Sequence, residues 1–141
     1  MKVTETPIKV RYQETDMMGV VYHANYLVWF EMGRTDFIEG LGFKYYEIEN
    51  QGVVSPVVDA TVQFKTPVRY GEDVHVLTWL EAYDGLRITY GYKVVHESGD
   101  IAVTGQTQHV IVKKESFRPL SIRRSFPDWH KAYLNAMESD Q

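Results

Sequence analysis

Apolar and polar side chains alternate with period two from Ile8 to Gln13, the pattern of a half-buried strand. The alternation breaks at Glu14-Thr15-Asp16, a polar turn, and Gly19 follows as a position free to take backbone angles that other residues resist. Beyond it the period lengthens. Tyr26, Trp29, Phe30, Gly33, Phe37 and Leu41 recur at helical spacing and form one broad apolar stripe. Asn25 stands where an N-cap is expected, and Gly40 and Gly42 stand where a helix stops. The pattern predicts a helix of about 17 residues, roughly 25 Å long, that starts between His23 and Asn25. Gly33, inside the stripe, offers a place for a strand backbone to approach.

Phe43 to Gln51 reads as a short helical or irregular connector, after which the chain turns to strands. Val53 to Tyr70 is a long β-rich run in which Pro56 and Pro67 mark a bend or strand ends. Glu72 to Tyr83, Leu86 to Glu97 and Ile101 to Lys113 are separated only by the turns Asp84-Gly85 and Ser98-Gly99-Asp100. They predict an antiparallel meander of strands of about 11–13 residues, longer than the common strand. Lys113 to Arg124 is a basic connector, and Pro127 opens a terminal helix with Trp129, Tyr133, Ala136 and Met137 as its apolar positions. With no repeat, low-complexity segment or linker, residues 1–141 read as a single α+β domain, one long helix covered by a curled antiparallel sheet.

Composition narrows the function classes. The 141 residues are 44% apolar and carry a net charge of −4, so a folded core is expected and general nucleic-acid binding, which needs a broad basic surface, is not. There are no cysteines, which excludes a disulfide scaffold, a thiol nucleophile and cysteine-based zinc sites. The first residues lack a signal-peptide core, and no run approaches the roughly 20 apolar residues of a membrane span; a soluble, cytoplasmic protein is expected, with no membrane insertion.

The chemistry-bearing side chains concentrate between Tyr12 and Tyr26. Asp16 has two readings, a turn-forming aspartate or a general base or nucleophile at a helix entrance. Glu14 reads as a supporting partner of Asp16 or, the favoured reading, as a solvated charge. His23 sits where the first N–H groups of the helix lack partners and can face a developing negative charge, or it is simply a half-exposed first-turn histidine. Tyr22 fits either core or site. His75, His96, His109 and His130 fall on separate elements without metal-ligand spacing, so no metal site is expected. Lys65 with Arg69, and Lys113, Lys114, Arg118, Arg123 and Arg124, form two basic groupings. These read as solvated faces or as a seat for a small polyanion such as a nucleotide diphosphate.

Taken together, Tyr12, Thr15, Asp16, Gly19, Val21, Tyr22, His23, Asn25, Tyr26, Leu27, Phe30, Glu31 and Arg34, followed by F-K-x-P-V-R-Y-G-E-D from Phe64 to Asp73, form a recognisable pattern. It resembles the hotdog-fold acyl-CoA thioesterases of the 4-hydroxybenzoyl-CoA thioesterase type, in particular the bacterial short acyl-CoA branch. The resemblance implies a long helix wrapped by five or six antiparallel strands, a short C-terminal helix, and a homodimer or homotetramer with sites at the subunit interface. It places the catalytic carboxylate on Asp16 and the oxyanion donor on the backbone N–H of His23, with Tyr22 and the His23 ring lining the pocket. Glu14 departs from the family, whose turn starts with aspartate. Acyl-CoA is then the substrate and no separate cofactor is expected; Lys65, Arg69, Arg118, Arg123 and Arg124 become partners for the CoA diphosphate. Two rival readings stand beside it. One is a hydratase or dehydratase of acyl thioesters pairing His23 with Glu31, about 12 Å apart along one helix and so dependent on a dimer. The other is a non-catalytic acyl-CoA-binding module.

Overall fold

The computed structural model describes residues 1–138. In chain order it runs β1 (Val3–Lys9), a 3-10 turn (Tyr12–Glu14), α1 (Asn25–Gly40), α2 (Tyr45–Glu49), β2 (Val53–Val54), β3 (Val57–Phe64) and β4 (Asp73–Tyr83). Then come β5 (Arg87–His96), β6 (Ile101–Val110), β7 (Val112–Lys113), α3 (Ile122–Ser125) and α4 (Pro127–Glu138). Five strands form one antiparallel sheet in the order β1-β4-β5-β6-β3, and β2 pairs with β7 as a separate ribbon.

The apolar stripe behaves as predicted. Tyr26, Trp29, Phe30, Gly33 and Phe37 are all buried on α1, joined by Ile38, which the spacing analysis passed over; Leu41 is only half-buried. They meet Val74, Val76 and Leu80 of β4 and Tyr90 and Tyr92 of β5, and the Phe30 ring stacks on Tyr92 with 4.2 Å between centroids. Each fully buried aromatic on that stripe removes enough apolar surface from water to contribute about 1.5–3 kcal/mol. Gly33 is where the helix comes closest to the sheet. A Cβ there would run into Thr78 Oγ1 and lie 3.0 Å from Val76 Cγ1.

Three boundaries differ from the sequence reading. The first strand is Val3–Lys9, and the alternating stretch beyond it at Tyr12–Glu14 is a 3-10 turn, because Glu14 N and Thr15 N bond back to the Arg11 and Tyr12 carbonyls. The run Val53 to Tyr70 is broken at Pro56 and again after Phe64, so only Val57–Phe64 joins the main sheet. The basic connector contains a short helix, α3, capped by Ser121 Oγ, which accepts from Arg124 N. The long meander strands are 11, 10 and 10 residues, and the turns fall at the predicted glycines.

β3 closes one end of the sheet. It pairs with β6 alone, so its outer edge has no hydrogen-bonding strand among the described residues, while Val57, Val58 and Phe64 stay 49%, 49% and 57% exposed. A bulge between Val57 and Asp59 absorbs one residue of the alternation. Val57 and Phe64, of opposite parity, thereby both reach elements of the helix layer.

The close approach at Gly33 is directly testable. Gly33→Ala should lower the denaturant midpoint by an amount equivalent to about 1–3 kcal/mol, the usual cost of overpacking. A midpoint at or above that of the wild type would show that α1 and β4 have slack the geometry does not reveal.

Candidate active site

The segment between β1 and α1 is built around Glu14. Far from being solvated, as its sequence position suggests, Glu14 is 5% exposed. Its Oε1 accepts from Arg11 N at 2.8 Å, and its Oε2 accepts from the Trp29 indole at 2.8 Å and from the Arg11 guanidinium at 3.4 Å. Burial by itself would raise the Glu14 pKa, but the Arg11 amide, the Trp29 N–H and the Arg11 charge outweigh it and hold the carboxyl below its ordinary range. The Glu14 carbonyl accepts from Tyr22 N at 2.9 Å and from Asn25 Nδ2 at 2.8 Å. Asn25 is therefore not the N-cap. That position is Ala24, whose side chain has no group to cap with, and the Asn25 amide ties the helix start to the turn instead. The sequence held only half of the signal: an indole on the helical stripe needs an acceptor, but Glu31, Asp36 and Asp16 all lie nearer to Trp29 in the chain than Glu14 does.

Asp16 lies on the far side of this turn. Its N–H donates to Val20 O at 2.9 Å, its carbonyl accepts from Gly19 N at 3.0 Å, and Gly19 closes the loop at φ +81°. Only a residue without Cβ takes that angle without strain. One carboxylate oxygen, Oδ1, accepts from Met18 N at 2.8 Å. The loop is then pinned to the chain after β3: Val20 bridges Arg69, and Val21 N donates to Val68 O at 2.8 Å.

Asp16, His23 and Tyr26 open onto one cleft of about 300 Å³, walled opposite by Phe64, Lys65 and Pro67. Phe64 packs against both the Tyr26 and His23 rings, at 5.8 and 6.5 Å. At the helix entrance the first amides recorded as donating are those of Asn25, Tyr26 and Leu27, to the carbonyls of Tyr22, His23 and Ala24. The N–H groups of His23 and Ala24 donate to no backbone or side-chain acceptor among the described residues. Two free donors at the positive end of a 16-residue helix, beside a carboxylate held by one amide, can stabilise an oxyanion and supply a base or nucleophile.

The remaining predicted site residues scatter. Tyr22 is 46% exposed and packs at a tilt against His23, 4.4 Å between ring centroids, without lining the cleft. Lys65 is on the cleft wall, and Arg69 is exposed just beyond it, on the residue that bridges Val20. Arg118, with Lys113 and Lys114, lines a different groove of about 840 Å³ beside Gly52 and Val53, and Arg123 and Arg124 are exposed on α3. The two basic groupings thus sit beyond opposite ends of β3. Glu31 lines neither; it borders a partly open cavity under α1, so His23 and Glu31 do not converge within one chain.

Comparison with known proteins agrees with this architecture. Residues 10–133 match the model of the Thioesterase-like superfamily. The chain is 50% identical over 136 residues to the "Putative acyl-CoA thioesterase YneP" of Bacillus subtilis, covering 96% of this chain and 99% of that protein. Among solved structures, a DHNA-CoA thioesterase from Staphylococcus aureus superimposes with a TM-score of 0.95 at 46% identity, covering 98% of this chain and 93% of the other. A hypothetical protein from Thermus thermophilus superimposes with a TM-score of 0.86 at 38% identity, covering 94% and 98%. The chain belongs to the thioesterase-like family, and its α+β architecture is the hotdog fold.

The buried carboxylate gives a pH prediction. Because the folded pKa of Glu14 lies below its ordinary 4.5, its contribution is fully present above that value and is lost as pH falls through the folded one. Glu14→Gln should cost about 1–3 kcal/mol at pH 7, the range for a hydrogen-bonded buried charge, and progressively less in acid. Urea unfolding at pH 7 and pH 3 checks this; a penalty that persists undiminished at pH 3 would place its origin in packing.

Proposed function

We propose that this protein hydrolyses acyl-CoA thioesters to the free acid and CoA. The observation that carries the reading is the single cleft lined by Asp16 and His23, at a helix entrance where the amides of His23 and Ala24 have no acceptor among the described residues. A thioester carbonyl oxygen seated on those amides is polarised by the helix end. With Oδ1 held by Met18 N, Asp16 presents its other oxygen. It either takes a proton from a water that attacks the carbonyl carbon, or attacks that carbon itself to give a mixed anhydride that water then opens. In both cases the C–S bond breaks, the thiol leaves as CoA, and the acid carries the oxygen from water. Glu14 acts one step back: by tying the turn to Trp29 and Asn25 it fixes Asp16 and His23 relative to each other.

The CoA diphosphate needs cations near this cleft. Lys65 and Arg69 supply them from the same chain. Arg118, Arg123 and Arg124 lie toward the other end of β3 and serve a cleft only from a second copy. The unpaired β3 edge with its exposed Val57, Val58 and Phe64 fits such a copy, since two β3 edges paired antiparallel extend the sheet and bury those side chains. A homodimer, alone or as the unit of a homotetramer, is therefore part of the proposal.

Thiol release measured over acetyl-, medium-chain, long-chain and aromatic acyl-CoAs tests the activity; the aromatic esters are included because of the name carried by the S. aureus structure. Asp16→Asn should lower kcat/KM by about 10²–10⁴, the scale of a lost general base. Near-normal turnover in the folded variant would remove Asp16 from the chemistry, and formation of hydroxyacyl-CoA without thiol release would favour the hydratase. Reversing Arg123 and Arg124 to glutamate should raise KM for CoA esters and leave a thioester truncated at the pantetheine unaffected. Equal changes on both substrates would dissociate these arginines from the diphosphate.

A further inference from the structure

The connection between β3 and β4, Lys65 to Glu72, walls the Asp16 cleft and carries both cations near it. Lys65, Thr66 and Pro67 line the cleft, and Arg69 bridges Val20 of the Asp16 loop. The segment contains no helix or strand of its own, and apart from the buried Val68 each of its residues is exposed or half-buried. Something has to keep it in place.

His96 holds it at both ends. This residue closes β5, where its N–H donates to Asp100 O at 2.9 Å and Gly99 turns the chain at φ +95°. From that fixed base the ring reaches Thr66 with Nε2, 2.8 Å from Oγ1, and Glu72 with Nδ1, 2.8 Å from Oε1. A carboxylate only accepts, so Nδ1 carries a proton and the neutral ring takes the Thr66 hydroxyl on Nε2. A charged ring keeps both contacts. Its Nε2–H donates to Thr66 Oγ1, whose own proton turns to Ile101 O at 3.3 Å. No other side chain among the described residues bonds to both Thr66 and Glu72.

Glu72 passes the grip on. Its second oxygen, Oε2, accepts from Arg69 N at 2.7 Å, which fixes the backbone beneath the outer guanidinium. Both carboxylate oxygens are thereby committed and do not neutralise the cations. Neither Lys65 nor Arg69 has a carboxylate oxygen within 4.0 Å among the described residues. Behind the segment lies an open hollow of about 500 Å³, lined by Thr66, Glu72 and His96 together with Asp73, Glu97 and Asp100. With acids on that side and bases on the other, the cleft side is the one that favours an anion.

We propose that His96 is a positioning residue: by clamping Thr66 to Glu72 it holds Lys65 and Arg69 beside the cleft, ready for the CoA diphosphate. The proposal rests on the thioesterase reading and adds to it a residue that sets affinity for the nucleotide half of the substrate. Cations on an ordered segment bind an anion without the chain first giving up its freedom. Removing the ring returns that cost to binding and leaves Glu72 free to pair with Arg69. The reacting end is held separately, since Asp16 is tied within its own loop by Met18, Gly19 and Val20. Loss of His96 therefore acts on KM and spares kcat.

Two variants of the intact protein test it, His96→Ala and His96→Phe, each checked for an unchanged melting temperature. Phenylalanine fills the space of the ring without its nitrogens, so it separates the clamp from packing and serves if the smaller side chain does not fold. Amide hydrogen exchange reads the clamp without any ligand. Residues 65–72 should exchange about three- to tenfold faster in the variants, the scale of one lost hydrogen bond, while β4 and β5 keep their protection. Unchanged exchange overturns the clamp, whether or not the protein cleaves a thioester. Thiol release reads the consequence. KM for an acyl-CoA should rise about three- to tenfold with kcat within about twofold of the wild type, and KM for the same acyl group on pantetheine should not move. Equal changes on both substrates, a fall in kcat alone, or a normal KM overturns the positioning role. If no thioester is cleaved, the hydrolase reading fails by itself and calorimetric titration of CoA decides the role of His96. The wild type should bind CoA about three- to tenfold more tightly than either variant, and equal or absent binding overturns the proposal.

Discussion

Glu14 is gripped from several directions at once. Its carboxylate takes the Arg11 amide and the Trp29 indole, and its carbonyl takes the Tyr22 amide and the Asn25 side chain. A charge 5% exposed is sustained only by such donors, since an unpaired carboxylate in that position would protonate or pull in water. In return it joins three pieces, the end of β1, the turn that carries Asp16, and the first turn of α1, while Val20 and Val21 tie the same loop to Arg69 and Val68. The relation between the Asp16 turn and the helix N-terminus is therefore supported by a residue that is itself almost wholly buried.

The second constraint is the distance between helix and sheet. Gly33 lets α1 settle onto Val76 and Thr78, and the Phe30–Tyr92 stack and the fully buried Trp29 follow from that depth. The same docking sets the entrance of α1 beside Phe64, with its C-terminal half over the cavity that Glu31 and Arg34 line. One rigid helix thus presents an electropositive end to the cleft and an acid with a guanidinium to the cavity, and β3 runs antiparallel to it along both.

An exposed edge strand is ordinarily a hazard, and proteins blunt it with charge, proline or covering segments. β3 does the reverse, carrying Val57, Val58 and Phe64 half-exposed on an unpaired edge. The proposed second copy would satisfy those backbone groups, and it would give the distant arginines of α3 a cleft to serve.

Much of this was legible along the chain. The 3.6-residue stripe, the glycine turns and the proline at α4 fix the elements because local periodicity and backbone freedom act within a few residues. The Tyr12–Tyr26 segment showed Asp16 and His23 because a carboxylate ahead of a helix entrance is a local arrangement. What the sequence could not display is pairing between residues far apart in the chain or across its turns. Glu14 read as solvated and Asn25 as a cap, since their partners are decided by how Trp29 is folded back over the turn. The basic residues read as groupings, yet only the direction of β3 shows that they flank opposite ends of one strand. Sequence determines which segments can bury which face; the packing of the helix on the sheet decides which charges are stranded, and so where a ligand is needed to satisfy them.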